Sequence, residues 1–193
     1  WRSANNINNT GFPEPVPYAG DKRIFMAQQF YDVNHLVRRE IHKAYIRKCF
    51  DNFRDNHNVI QLIGSEYTGP LSFTRFWIDV IIELQEQTGR DVIIGLSTTK
   101  DVQDSVLADS IRSPVIDVID IRYWQYRKNG TLYAPKGGQN LAPRQHARLD
   151  NPGKTSFEQV YRAVYEYRKK YPEKAVIYSF GRYENQGWAV FMA

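Results

Sequence analysis

One cysteine, Cys49, stands in 193 residues, so no disulfide can form within the chain and the fold rests on packing and hydrogen bonds. Cys49 falls on the apolar side of a helical pattern and reads as an inert core thiol. No apolar run approaches the roughly 20 residues of a membrane-spanning helix, which argues against a membrane protein of that type. No signal-peptide pattern opens the chain, and because Trp1 is not a natural start the amino terminus reads as processed or truncated. No block of like charge occurs either. The 26 Lys and Arg are interleaved with 21 Asp and Glu, so the net charge of +5 gives only weak support for nucleic acid or another polyanion as partner.

Other absences narrow the chemistry. The four histidines, His35, His42, His57 and His146, lack metal-ligand spacing, and His35 and His42, seven apart on one helix, read as surface residues. No glycine-rich phosphate loop follows a strand: Gly137-Gly138 is not followed directly by a helix. No Ser or Cys lies in a nucleophile elbow. The expectation is an activity without metal or cofactor, and kinase, dehydrogenase and serine-hydrolase readings are set aside.

What the chain does have is aromatic side chains, 13 Tyr, 10 Phe and 4 Trp, many of them beside predicted strand ends, where a cleft would take flat ligand faces. Its length and its 42% hydrophobic content suit one globular domain over 1–193.

Residues 1–34, with Asn5-Asn6-Ile7-Asn8-Asn9-Thr10-Gly11 and Pro13, Pro15 and Pro17, read as a long irregular and functional loop. From His35 to Phe53, Val37, Ile41, Ala44, Tyr45, Ile46, Cys49, Phe50 and Phe53 recur at helical spacing, with Arg38, Arg39, Lys43 and Arg47 on the other side. Val59–Gly64 reads as a buried strand that presents Glu66 at its carboxyl end. Phe73, Phe76, Trp77, Val80, Ile81 and Leu84 mark a second helix, closed by Gly89.

Asp91–Leu96 is a second buried strand, leading through Ser97-Thr98-Thr99 into a short helix. Val115–Trp124 is a third, in which Asp120 and Arg122 share one face and Asp117 takes the other. Charges on so apolar a strand need partners, either each other or a ligand. Residues 125–154 form a long loop excursion. Thr155 or Ser156 caps the next helix, whose inner face is Phe157, Val160, Tyr161 and Val164. Lys174–Ser179 is the fourth strand, and a last helix starts near Trp188.

Strand and helix alternate throughout, which predicts an α/β fold with a parallel sheet and right-handed crossovers. Four strands suit a partial (β/α)8 TIM barrel, since a complete one takes about 250 residues.

Gly64-Ser65-Glu66 closing one strand, Trp124 ending a strand two further on, and a fourth strand leading to Glu184 resemble strands four to seven of a glycoside hydrolase of the large retaining barrel clan. More narrowly, the stretches Asn5–Phe12, Gly64–Pro70 and Gly137–His146 are similar to segments of uncharacterised glycoside-hydrolase-like proteins of polysaccharide-degrading bacteria. The clan resemblance implies an acid/base Glu at the end of strand four, here Glu66, preceded by Ser65 where the clan usually has Asn. It implies a nucleophilic Glu at the end of strand seven, where this chain has Ser179-Phe180-Gly181; Glu184 follows, and Asp120 is its rival as second carboxylate. A secreted or periplasmic enzyme acting on polysaccharide or oligosaccharide follows, with the remainder of a barrel or another copy of the chain as protein partner.

Glycoside cleavage commonly needs two carboxyl groups, about 5–5.5 Å apart for retention and about 6.5–9.5 Å for inversion. A general-acid Glu66 needs a raised pKa, which Tyr67 and the apolar strand could supply. Asn6, Tyr67, Trp124, Tyr126, Tyr183 and Trp188 are the expected sugar contacts, with Arg122 able to fork two hydrogen bonds to a hydroxyl pair or a uronate. A noncatalytic sugar-binding or scaffolding barrel is the alternative.

Overall fold

The computed structural model describes residues 28–64, 68–139, 143–180 and 186–193. A helical turn at 28–31 precedes α1 (Leu36–Asn52), β1 (Ile60–Ile63), α2 (Leu71–Thr88), β2 (Ile93–Leu96), α3 (Lys100–Leu107) and β3 (Val118–Ile121). Then come the short β4 (Gln125–Tyr126) and β5 (Leu132–Tyr133), α4 (Pro143–Leu149), α5 (Phe157–Lys170), β6 (Ala175–Tyr178) and α6 (Gln186–Met192).

The fold is mixed α/β. Its main sheet runs β1-β2-β3-β6, every neighbouring pair parallel, so spatial order follows chain order. With right-handed crossovers, that order puts the connecting helices on one face. Register and burial agree. Ile63, Leu96, Ile119 and Val176 form one row across the sheet, and all four are buried in the core with Phe73, Ile78, Val106 and Val160 of the helices. Leu62, Gly95, Val118 and Ala175 form the next row, on the opposite face. That face is partly open: Ile60, Leu62 and Ile177 are 47%, 40% and 37% exposed. The expectation that Val59–Gly64 is buried is therefore corrected for half its side chains, because β1 is an edge strand covered on one face.

The helix patterns hold with shifted faces. Helix α2 buries Phe73, Phe76, Val80, Ile81 and Leu84 and ends at Gly89, whose φ of 64° is left-handed. Helix α1 instead buries Arg38, His42, Ile46 and Phe50, while Val37, Tyr45 and Phe53 are exposed. The reason is polar. Arg38 donates through Nη1 to the Gln29 carbonyl and Oε1, and His42 Nε2 lies 3.0 Å from the Phe30 carbonyl. The backbone of the preceding turn thus draws both side chains inward, and the surface reading of His42 is corrected. Its ring sits edge-on to Phe30 and Phe73.

In α5 the buried face is Val160, Ala163, Val164 and Tyr167. Ser156 occupies the cap position, and the Thr155 hydroxyl donates to the Tyr126 carbonyl. The third strand is shorter than predicted: Ser113–Val115 is a 3-10 turn, and β4 and β5 pair antiparallel around Asn129-Gly130. The 125–154 excursion thus contains a hairpin and α4, and the tail of the expected strand turns into that hairpin.

Candidate functional site

At the carboxyl end of the sheet one carboxylate is gripped from both sides. Asp120 is 1% exposed, on the face away from the helices. Register places Ile177 beside it on β6, and continuing the β2–β3 register by one residue places Ser97 beside it on the other side. The Ser97 hydroxyl donates to Oδ2 over 2.7 Å, and the Ser179 hydroxyl, one residue past β6, donates to Oδ1 over 2.6 Å. Such lengths belong to charge-assisted O–H···O⁻ bonds. Ser97 is fully buried, whereas Ser179 is exposed.

The end of β1 is strapped to the same place. Ser97 N–H donates to the Ile63 carbonyl, and Gly64 has φ of +85°. A Cβ on Gly64 would stand 2.7 Å from the Ser97 carbonyl oxygen and from Thr98 Cγ2, so only glycine lets the strand ends approach this closely. Glu66 follows two residues later. Glu66, Tyr67, Asn6, Tyr183 and Glu184 lie outside the described residues. Where the chain is described again, Thr68 is buried, its carbonyl accepts from Gly138 N–H, and its hydroxyl lies 3.3 Å from His146 Nε2. Gly137 N–H donates to the Asp101 carboxylate. The excursion thus folds back over the carboxyl ends of β1 and β2. Burial pushes the His146 imidazole below its usual pKa.

Beneath Asp120 lies Gln103, fully buried on α3. Its Nε2 donates to the main-chain carbonyls of Leu96 and Asp120, each over 3.0 Å, and its Oε1 accepts from Trp124 Nε1. This places Trp124 in the core, with no exposed surface to offer a sugar. Lys100 Nζ lies 4.5 Å from the Trp124 ring centre and pairs with Glu166 and Asp104 over 2.9 and 3.1 Å. Tyr126 is also buried, and its hydroxyl donates to Glu166. Burial, with the Glu166 carboxylate beside it, pushes that phenol up to about 12. Burial opposes ionisation of Glu166, yet the bonds and charges from Tyr126, Lys100 and Arg162 outweigh it and hold the carboxyl below its usual range.

Arg122 is half-buried, 5.8 Å from the Tyr123 ring centre. Trp188 is 66% exposed on α6, edge-on to Phe191. Of the predicted residues, Asp120 therefore sits at the sheet's carboxyl end, Trp124 and Tyr126 join a buried network, and Trp188 lies out on a helix. Ser97, Ser179 and Gln103 were missed as site residues. Counting the period of two past each strand end would have put both serines on the Asp120 face; nothing local marks Gln103. Among the described residues, no group of three or more His, Cys, Asp or Glu is placed to hold a metal ion, and no helix is long and apolar enough to cross a membrane.

No curated protein sequence and no solved structure matches the chain. The profile of the family described as Domain of unknown function (DUF6298) matches residues 1–193, and the chain belongs to that family.

Proposed function

We propose that this chain is the carboxyl-end cleft of a carbohydrate-active (β/α) barrel that cleaves glycosidic bonds. The observation that carries the reading is the anchored carboxylate of Asp120, held by Ser97 and Ser179 where three consecutive parallel strands end. In parallel α/β folds the carboxyl ends of the strands are where chemistry collects. Glu66 is the acid/base in this reading, because it follows Gly64, which is packed onto Ser97. Asp120 and Glu184 are the candidates for the second carboxylate.

The sequential strand order and helices on one face support the barrel, since a closed barrel is wound in that sense and its other face forms the interior. Further β/α units, or a second copy of the chain, would then cover Ile60, Leu62 and Ile177. A polysaccharide substrate would put the protein in a secreted or periplasmic setting.

Glu66→Gln and Asp120→Asn test the proposal by reducing-end release from neutral and acidic polysaccharides. A fall of about 10²-fold or more in Glu66→Gln is expected, the scale of a general acid/base contribution; unchanged turnover rejects Glu66. A noncatalytic sugar-binding barrel is the second reading. It is favoured by the fact that both Asp120 oxygens already accept a serine proton. Glycan binding without release of reducing ends would decide for it.

A further inference from the structure

Ser97 and Ser179 look alike in the Asp120 cluster but face different surroundings. Ser97 is wholly enclosed, whereas Ser179 is exposed at the sheet's carboxyl end. A serine hydroxyl has one proton, and that of Ser179 is committed to Asp120 Oδ1 over 2.6 Å. What Ser179 turns outward is lone pairs only, made more electron-rich by the carboxylate behind them.

We infer that Ser179 Oγ, held by Asp120, is an acceptor-only subsite that reads a hydroxyl donor of a neutral sugar and turns away carboxylate or sulfate oxygens. This rests on the carbohydrate reading and names its substrate class. An uncharged sugar hydroxyl brings the missing proton. An anionic oxygen would meet lone pairs with the Asp120 charge one bond behind them, and a site built to receive a donor discriminates strongly against a group that lacks one.

The test is binding by the full chain to an immobilised panel of neutral oligosaccharides (cello-, xylo- and manno-hexaose) and oligogalacturonate, followed by calorimetry on the tightest probe. The tightest probe is expected to be neutral. Ser179→Ala should weaken it at least tenfold, and Ser179→Thr, which keeps the hydroxyl, should hold it within about threefold. Asp120→Asn, which removes the charge behind Ser179, should shift the neutral-to-acidic preference toward oligogalacturonate. Oligogalacturonate as tightest probe, an unchanged Ser179→Ala, or no binding by any probe overturns the inference. The hydrolytic reading is judged separately: binding lost in Ser179→Ala while wild type releases no reducing ends supports the subsite and rejects cleavage. Turnover abolished in Glu66→Gln with Ser179→Ala binding intact does the reverse.

Discussion

The indole Nε1 of Trp124 donates to Gln103 Oε1 over 3.1 Å, and this bond decides which end of the carboxamide faces the sheet. An indole can only donate, so Oε1 must point to it and Nε2 must point at the Leu96 and Asp120 carbonyls. Gln103 thereby ties β2 to β3 under the candidate site. Gln103→Leu keeps the volume but removes three buried hydrogen bonds. Stability should fall by about 3 kcal/mol, at the scale of one or two unsatisfied groups after relaxation. Urea denaturation checks it: the midpoint should drop with an unchanged slope.

The two serines of the Asp120 cluster should separate by stability. Ser97→Ala removes a fully buried donor that water cannot replace, and should cost about 1–3 kcal/mol. Ser179 is exposed, so water can take its place, and Ser179→Ala should stay within about 0.5 kcal/mol of wild type. Equal losses in thermal unfolding would contradict the assigned burial.

Acid should weaken the fold through His42. Its pKa is lowered, first by burial and further by the Arg38 charge, with the bond to the Phe30 carbonyl opposing. The neutral imidazole is the folded form, so its contribution is complete above the ordinary value of 6.5 and falls as the unfolded chain takes up the proton below it. His146 adds a drop of the same sign. Denaturation between pH 7.5 and about 5 should show declining stability, and His42→Gln should flatten the decline; an unchanged slope in that variant would remove His42 from the account.

Glycines at two points of the sheet should respond differently to alanine. At Gly64 the new Cβ meets main-chain oxygen at 2.7 Å with φ at +85°, so neither partner can give way, and a loss of about 2 kcal/mol or more is expected. At Gly95 it meets Leu62 Cδ2 at 2.5 Å, the end of a flexible and 40% exposed side chain that can swing aside. Gly95→Ala should therefore cost about 1 kcal/mol. Melting temperatures of the two variants give the order.

Much of the scaffold was legible along the chain. The β/α alternation, the Phe73–Leu84 face of α2 and the Gly89 stop all follow from spacing. Less legible were places where distant backbone reset a local pattern. Helix α1 carries enough apolar residues to suggest several faces, and the chosen one is set by Arg38 and His42 reaching the carbonyls of Gln29 and Phe30. Trp124 and Tyr126 sit at the end of an apolar strand, where sequence cannot say whether a ring faces ligand or core.

The sequence by itself determined that four apolar strands alternate with helices and that a carboxylate stands on the third, because periodicity and turn chemistry are local. Only the tertiary structure decided that Asp120 receives one hydroxyl from Ser97 and another from Ser179, 23 and 59 residues away. Strand order and register bring those residues together, and both are set by how the helices share a common core.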